Sequence, residues 1–331
     1  MKLSEAGELS LLEILRKRFG IKSRDIRLGI GDDAAVIRPK DSHLLSTTDM
    51  MVEDVHFDLS WTTPFQLGFK LISVNVSDIF AMGGTPRYIL LNFAATRNST
   101  LPFFDHFFDG IEHALKTYGV SLIGGDISAS DRIMLSVTAI GSAKTIVRRR
   151  GARPGDKICV TGTLGDAACG LELLRRMKRT VDLEDTKKRH RSPLPWETAV
   201  SLMRRHLMPV ARDPSAISGK ATAMIDVSDG LLVDLGRLCR ESGVGARVRI
   251  ADVPRSDALK TAASSLGLSA RALSLSGGED YELLFTVSPK RKTYGICIGE
   301  ITRSAGVEVI DDRGRRMNIS HKGYQHFADQ G

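Results

Sequence analysis

Several features that would place this chain in a membrane or in an oxidising compartment are missing from its sequence. No apolar run approaches the length of about 20 residues that a membrane-spanning helix needs. The four cysteines are scattered, without a CxxC pair or a neighbouring histidine at metal-ligand spacing, so we expect free thiols in a reduced cytoplasm. The opening stretch MKLSEAGELSLLEILRKRF mixes acidic with apolar positions, which predicts an amphipathic helix rather than a signal peptide.

Common nucleotide-binding and nucleophile motifs are also absent. Gly219-Lys220 is followed by Ala221 and forms no Walker A sequence, and neither a protein-kinase HRD or DFG set nor a GxSxG elbow occurs. The segment from Gly29 to Ala34 fits the loose dinucleotide pattern GxGxxA, but its two aspartates would repel a pyrophosphate. A Rossmann site is therefore disfavoured, and a P-loop or protein-kinase site is excluded.

The chain is long enough for two domains, and its charge is basic. It has 331 residues, of which 42% are hydrophobic and 26% charged, as in soluble globular proteins. Much of the net charge of +8 lies in three runs, 148–150, 175–179 and 187–191. Such runs usually form a solvated surface, and no nucleic-acid-binding signature accompanies them. We therefore expect neither a nucleic-acid nor a membrane partner, and a polyanion-binding protein remains the alternative from another functional class.

Strand and helix patterns are mixed along the chain rather than segregated. Apolar periodicity predicts a helix over 64–82, in which Asn75 and Asp78, three residues apart, can point at the same place. The basic, turn-rich stretch 148–156 predicts a domain boundary, and 178–195 a polar linker. Strands are predicted over 41–48, 87–95, 120–123, 133–140, 157–161 and 223–225, and further helices over 102–118, 166–177 and 231–241.

One unit recurs: an apolar strand runs into a turn of Gly, Ser or Thr that carries aspartate. It occurs as GIGDDAA, STTD, IGGD, TGTLGD and IDVSDG, and Asp78 and the SGGED segment belong to the same set. A single such turn is uninformative, because Asp and Gly dominate turns for conformational reasons. Several of them at strand ends predict carboxylates gathered at one rim of a sheet. Divalent cations and substrate phosphates would offset the repulsion there.

Taken together and in order, these segments resemble the thiamine-monophosphate kinase family. They are GIGDDAAV, STTDMMVEDVHF, VNVSDIFAMGGTP, LIGGD, RRGARPGD, VTGTLGDAA, IDVSDGL, SGGEDYELLF and KGYQHF, and they span nearly the whole chain. The resemblance implies an α+β, two-domain, aminoimidazole ribonucleotide synthetase-like fold with mixed sheets and packed helices. It also implies a homodimer. An N-terminal domain over 1–147 would bind ATP and Mg²⁺ and dimerise, and a C-terminal α/β domain over 148–331 would complete the nucleotide and substrate site.

The resemblance also implies roles for individual residues. Several Mg²⁺ ions would be held by Asp33, Thr47, Thr48, Asp49, Asp78, Asp126, Asp226 and Asp229. ATP would contact Gly125, Asp126, Arg149, Ser228 and Phe108, the last of which stands where some members have a tyrosine. The thiamine phosphate would contact His56, Glu279 and Tyr324.

The implied activity is in-line transfer of the γ-phosphoryl group of ATP to thiamine monophosphate, the last step of thiamine diphosphate biosynthesis, in the cytoplasm. The acceptor oxygen is already anionic at neutral pH, so no residue is assigned as a general base. Metal ions bridging the phosphates would bring the two polyanions together. Another ATP-using, aminoimidazole ribonucleotide synthetase-like enzyme is the alternative, whereas selenophosphate synthetase is disfavoured because no cysteine precedes Cys159.

Overall fold

Two units make up the chain in its computed structural model, which describes residues 14–15, 17–19, 26–28, 36–37, 43–183, 191–292 and 294–319. Unit 1 comprises Met1–Phe80 and Gly84–Ile146, and unit 2 comprises Ala81–Gly83 and Val147–Gly331. In the part of the chain that the structure describes, no helix has both the length and the apolar character needed to span a bilayer.

Unit 1 contains a small antiparallel pair and a four-stranded sheet. The pair is formed by β1 (Ile26–Leu28) and β2 (Val36–Ile37). The sheet has the strand order β3-β6-β4-β5, in which β6 is antiparallel to both of its neighbours and β4 is parallel to β5. Its strands are β3 (His43–Val52), β4 (Thr85–Ala95), β5 (Ser121–Ala129) and β6 (Met134–Ala143).

Two helices, α1 (Pro64–Ala81) and α2 (Leu101–Tyr118), pack on one face of this sheet. The Phe104 ring lies 5.1 Å from that of Phe93 on β4. The helices also touch each other closely: a Cβ on Gly68 would lie 2.2 Å from the Phe107 carbonyl oxygen, and no side chain fits there. Alternate residues of a strand point to opposite faces of the sheet. On β3 the residues that point away from the helices, both polar and apolar, are mostly exposed.

Unit 2 is built on a six-stranded sheet with the order β12-β9-β11-β7-β10-β8, antiparallel throughout except for the β12–β9 pair. Its strands are β7 (Lys157–Val160), β8 (Ala221–Asp226), β9 (Gly245–Arg249), β10 (Leu283–Val287), β11 (Ile296–Thr302) and β12 (Gly306–Ile310). Its helices are α3 (Asp166–Met177), α4 (Trp196–Leu207), α5 (Leu231–Ser242), α6 (Asp257–Leu266) and α7 (Ala270–Ser276).

Both faces of this sheet are buried. Leu231, Leu235 and Leu238 of α5 share one hydrophobic cluster with Ile158 and Val160 of β7. Cys159, between those two strand residues, belongs to a second cluster on the other face, with Met224 and Phe285. The sheet thus lies in the middle of unit 2, and its strand ends carry the loops described below.

The sequence predictions hold for most elements and fail at two aspartate segments. Helix 166–177 is confirmed residue for residue, and helix 64–82 ends at Ala81. Asp49 and Asp126, predicted in turns that follow strands, instead lie within β3 and β5. The ladders decide this, because β3 pairs with β6 through Val52 and β5 pairs with β4 through Ala129. All four cysteines are free thiols, as expected.

Candidate active site

A hydrogen-bonded group joins β3 to α1 in unit 1. Thr47 Oγ1 donates to Asp78 Oδ2 over 2.6 Å, and the backbone N–H of Asp49 donates to Asn75 Oδ1 over 3.1 Å. Asn75 is fully buried, and its amide donates to the Leu71 carbonyl. Asn75 and Asp78 therefore contact alternate residues of one strand, as their spacing in the sequence predicted.

Thr48 does not join this group. Consecutive strand residues point to opposite faces of a sheet, and the Thr48 hydroxyl donates instead to the Val137 carbonyl of β6, 3.0 Å away. Thr138 Oγ1 lies 3.4 Å from the same hydroxyl. The hydroxyls of Thr47 and Thr48 therefore lie on opposite faces of β3, and only Thr47 lies with Asp78. That Thr48 contributes an oxygen to a metal site stays a prediction.

Gly125 and Asp126 occupy the edge strand β5, opposite Leu91 and Asn92 of β4. A Cβ at Gly125 would lie 1.7 Å from the Leu91 carbonyl oxygen, and its φ of +155° is one that other residues rarely adopt. The Asp126 side chain next to it is exposed. Glycine is therefore required at position 125 by close backbone contact, and the neighbouring carboxylate is open to a ligand.

His56 lies in the turn that follows β3, with its ring tied to the backbone. Its Nδ1 accepts the Val52 N–H over 3.1 Å. An imidazole nitrogen that accepts is unprotonated, so in the neutral ring the proton lies on Nε2. Nε2–H is the form that can donate to a phosphate oxygen.

In unit 2, Asp234 holds the turn that carries Ser228 and Asp229. Its Oδ2 accepts the N–H groups of Ser228, Asp229 and Gly230 at 3.1, 3.0 and 3.2 Å. Burial, with the nearby charge of Asp229, raises the pKa of Asp234 to about 6. Arg237 bridges both acids, 2.6 Å from Asp229 and 2.8 Å from Asp234. Three backbone bonds on one oxygen fix the shape of this turn.

Asp226 and Glu279 lie beside the same turn. Asp226 is the last residue of β8 and is 3% exposed. The Glu279 N–H donates to the Ser228 carbonyl over 2.8 Å, which places the SGGED loop directly against the Ser228–Asp229 turn. The structure thus brings Asp226, Ser228, Asp229 and Glu279 to one end of unit 2.

A second buried acid, Asp280, fixes the TGTLGD loop. It is fully buried and accepts the N–H groups of Gly165 and Ala167 at 2.6 and 3.1 Å. Burial raises the pKa of Asp280 to about 7, against the opposing effect of Arg205 and the two backbone bonds. Asp280 thereby links the loop after β7 to the SGGED loop that precedes β10.

The raised pKa of Asp280 predicts a pH-dependent stability. Between its ordinary value of 3.8 and about 7 the folded state holds a proton that the unfolded state has lost. The contribution of Asp280 to the free energy of unfolding should therefore be fully present below this window and be lost through it as pH rises, by up to about 1.4 kcal/mol per pH unit. Asp280→Asn should flatten that slope in urea unfolding followed against pH. Asp257→Asn, with a side chain 97% exposed, should keep the wild-type slope, and an equally steep slope in Asp280→Asn would contradict the assignment.

The remaining predicted residues lie elsewhere. Arg149 is exposed, and its carbonyl accepts the Ser242 hydroxyl over 3.0 Å. Phe108 has no exposed surface and packs among other aromatic rings, 6.2 Å from Phe93 and 5.9 Å from Phe104. A side chain without exposed surface offers no face to a nucleotide, so the predicted ATP contact of Phe108 is wrong for this structure and its role is packing. Asp33 and Tyr324 lie outside the described residues.

The predicted metal ligands are divided between the two units. Asp49, Asp78 and Asp126 belong to unit 1, and Asp226 and Asp229 to unit 2. Among the described residues, no three His, Cys, Asp or Glu side chains are grouped closely enough to hold a metal ion. The prediction that the carboxylates gather at one rim of a single sheet is wrong, because Asp49 and Asp126 lie on the four-stranded sheet and Asp226 on the six-stranded one. That they share one metal site stays a prediction.

The sequence analysis did not predict that charged residues support these loops, although Asp280 and Glu282 lie in the SGGEDYELLF segment that it quoted. Asp234, Asp280 and Glu282 are all fully buried, and Glu282 receives hydrogen bonds from Arg205 and Arg212. Acidic and basic residues are usually exposed, so nothing in the sequence pattern marks these as buried. The two arginines were also missed because helix α4 and the segment after it were not predicted.

Comparisons with known proteins agree on one family. The family model described as AIR synthase related protein, N-terminal domain, matches residues 31–143, and the corresponding C-terminal domain model matches 153–310. The curated thiamine-monophosphate kinase of Aquifex aeolicus is 36% identical over 329 residues, covering 99% of this chain and 100% of the relative. That of Escherichia coli strain K12 is 36% identical, covering 97% and 98%.

A comparison with solved structures agrees with this family. The structure described as "AaThiL complexed with AMPPCP and TMP" is 36% identical to this chain, covers 99% of each chain and superposes with a TM-score of 0.77. The expected two-domain α+β fold is thereby confirmed.

Proposed function

The chain belongs to the thiamine-monophosphate kinase family, among the proteins related to AIR synthase, and from this premise we propose that it phosphorylates thiamine monophosphate with ATP to give thiamine diphosphate. The observation that carries the proposal is the 36% identity to a thiamine-monophosphate kinase over 99% of the chain. The similar structure with AMPPCP and TMP holds a nucleotide and an acceptor together, which is the pairing this reaction requires.

The reaction is a direct transfer between two phosphates. A phosphate oxygen of thiamine monophosphate forms a new bond to the γ-phosphorus of ATP, while the bond from that phosphorus to the bridging oxygen breaks and ADP leaves with the electron pair. The attacking oxygen carries negative charge already, so no side chain needs to remove a proton. Catalysis then consists of positioning and charge stabilisation.

We infer that Mg²⁺ accompanies the nucleotide. The candidate ligands fit such an ion because they are carboxylate and hydroxyl oxygens, the donors that hard divalent cations prefer. Asp78 with Thr47, Asp49 and Asp126 would serve from unit 1, and Asp226 and Asp229 from unit 2. When bound, Mg²⁺ would neutralise charge on the transferring phosphates. Asp234 would keep the Ser228–Asp229 turn in shape for this purpose.

Substrate contacts follow from charge. The Nε2–H of His56 suits the phosphate of thiamine monophosphate. The Glu279 carboxylate would repel that phosphate, and it suits the cationic thiazolium ring or the N–H donors of the aminopyrimidine. Exposed Arg149 would meet ATP phosphate oxygens. Gly125, Asp126 and Ser228 stay predicted ATP contacts, and Tyr324 stays a predicted substrate contact.

We further propose that the protein is a homodimer that uses unit 1. Leu44 and Met50, six residues apart on the uncovered face of β3, are 58% and 54% exposed, and apolar side chains exposed along one face of a strand suit a protein–protein interface. Sedimentation equilibrium should give a dimer mass for the wild-type protein and a weakened dimer for Met50→Lys. A monomer for the wild-type protein at micromolar concentration would contradict the proposal.

The function is tested by assaying the product directly. Purified protein is incubated with Mg-ATP and thiamine monophosphate, and thiamine diphosphate is measured by its fluorescence after oxidation. We expect Mg²⁺-dependent product with one ADP per thiamine diphosphate and none from free thiamine. ADP formation only with formylglycinamidine ribonucleotide would favour the aminoimidazole ribonucleotide synthetase-like alternative, and a folded protein with neither activity would overturn the proposal.

A further inference from the structure

Glu279 has a backbone conformation that costs free energy. Its φ is +65°, and that of Tyr281 two residues later is +50°. Positive φ at residues other than glycine costs about 1 kcal/mol or more and is concentrated at functional sites. The conformation is held by bonds to the turn that follows β8: the N–H groups of Glu279 and Tyr281 donate to the carbonyls of Ser228 and Val227 at 2.8 and 2.9 Å.

The residues between and after these two anchor the loop by their side chains. Asp280 accepts backbone N–H groups of the TGTLGD loop. Glu282 is fully buried and accepts from Arg205 at 2.9 Å and from Arg212 at 2.6 Å. The backbone of this segment is thus tied on both sides, and the position of the Glu279 side chain is the remaining variable.

His206 lies against the Glu279 side chain. Its Nδ1 is 2.8 Å from Glu279 Oε2, and the His206 side chain is 7% exposed, while that of Glu279 is 30% exposed. His206 belongs to α4 and is far from Glu279 in sequence. It directly follows Arg205, which donates to Glu282. One oxygen of the carboxylate is therefore set by a buried ring, while part of the same side chain faces solvent, where a ligand can reach it.

We propose that His206 is a positioning residue for substrate recognition, which orients the Glu279 carboxylate toward the cationic or N–H-donating heterocycle of the acceptor. The proposal rests on the proposed function, because it needs an acceptor that carries such a ring. The ring of His206 touches no substrate itself. Its Nδ1 lies in close polar contact with the carboxylate, and this contact limits the rotamers that Glu279 would lose on binding.

Two substitutions separate positioning from packing. In His206→Asn the amide nitrogen takes the place of Nδ1, whereas His206→Leu keeps a similar volume without a donor. We expect His206→Leu to raise KM for thiamine monophosphate about tenfold, the size of one lost polar contact to a charged group, with kcat and KM for ATP changed less than about twofold. His206→Asn should recover most of the loss.

Two further variants serve as references. Glu279→Gln removes the charge that His206 orients, so adding His206→Leu to it should raise KM by less than about twofold more. Met203→Ala truncates a fully buried residue one turn earlier on α4. This substitution should lower the melting temperature without changing KM. It therefore measures the effect of destabilising α4 while the contact between His206 and Glu279 is retained.

The outcomes are distinct. Wild-type protein that makes no thiamine diphosphate overturns the proposed function, and the role of His206 falls with it. Active wild-type protein with an unchanged KM in His206→Leu overturns only the role of His206. The same holds if His206→Asn is as impaired as His206→Leu, or if Met203→Ala reproduces the rise in KM, because the effect would then be structural.

Discussion

Asp78→Asn and Asp226→Asn are each expected to lower kcat at least about hundredfold while leaving the protein folded. Each substitution keeps the shape of the side chain and removes one negative charge from the predicted metal ligands. A metal ion contributes several kcal/mol to stabilising charge in phosphoryl transfer, and each 1.36 kcal/mol corresponds to a tenfold change in rate. Thr47 can still donate to the amide oxygen at position 78, so the contact between β3 and α1 should persist.

The measurement is turnover of thiamine monophosphate as a function of Mg²⁺ concentration, with circular dichroism melting curves to verify folding. Asp105→Asn and Asp252→Asn are matched controls. Asp105 is exposed on α2, and Asp252 pairs with Arg249 at the surface of unit 2. Both should keep wild-type rates. Full activity of Asp78→Asn and Asp226→Asn would refute the role of these carboxylates in metal binding.

Glu282→Gln is expected to cost about 3–5 kcal/mol of the stability of unit 2. Glu282 is fully buried, and it accepts from Arg205, from two nitrogens of Arg212 and from Thr161 Oγ1, the last over 2.6 Å. Glutamine removes the charge that both guanidinium groups face, and its amide would direct N–H groups at one of them. Breaking a buried pair leaves an uncompensated charge, which explains why the loss far exceeds that of a surface pair.

Tryptophan fluorescence can report on unit 2 alone, because the two tryptophans, Trp61 and Trp196, lie in different units. In a Trp61→Phe background, urea unfolding followed through Trp196 should show the loss. Glu172→Gln is the control, since Glu172 pairs with Arg175 at the surface over 3.0 Å. It should cost less than about 1 kcal/mol, and an equally small cost for Glu282→Gln would show that the buried cluster is not stabilising.

Much of the architecture could be predicted from the sequence, because local signals agreed with the fold. Helix 166–177 begins with an acidic first turn and ends with two arginines, both favourable to the helix dipole. The family, the α+β class and the activity also followed from ordered motifs. The assignment of ATP binding and dimerisation to residues 1–147, and the site residues one by one, stay predictions.

What failed depended on contacts between distant residues. Asp49 and Asp126 looked like turn residues, yet ladders with β6 and β4 continue through them. The ATP contact predicted for Phe108 came from the family resemblance, but four neighbouring aromatic rings bury this side chain. Helix α4 was not predicted from the sequence, and the position of His206 on it was therefore not predicted either.

The sequence by itself determined which residues have the chemistry for phosphoryl transfer: oxygen-rich aspartate segments, glycines for close backbone approach, and no Walker A lysine. Only the tertiary structure decided which of them meet. Thr47 shares a face with Asp78 while Thr48 does not, because a strand alternates its side chains and β3 packs on α1 by one face. The buried acids Asp234 and Asp280 hold their loops through backbone N–H groups, which every sequence has, so no residue pattern could predict this supporting role, even for Asp280 in the SGGED segment.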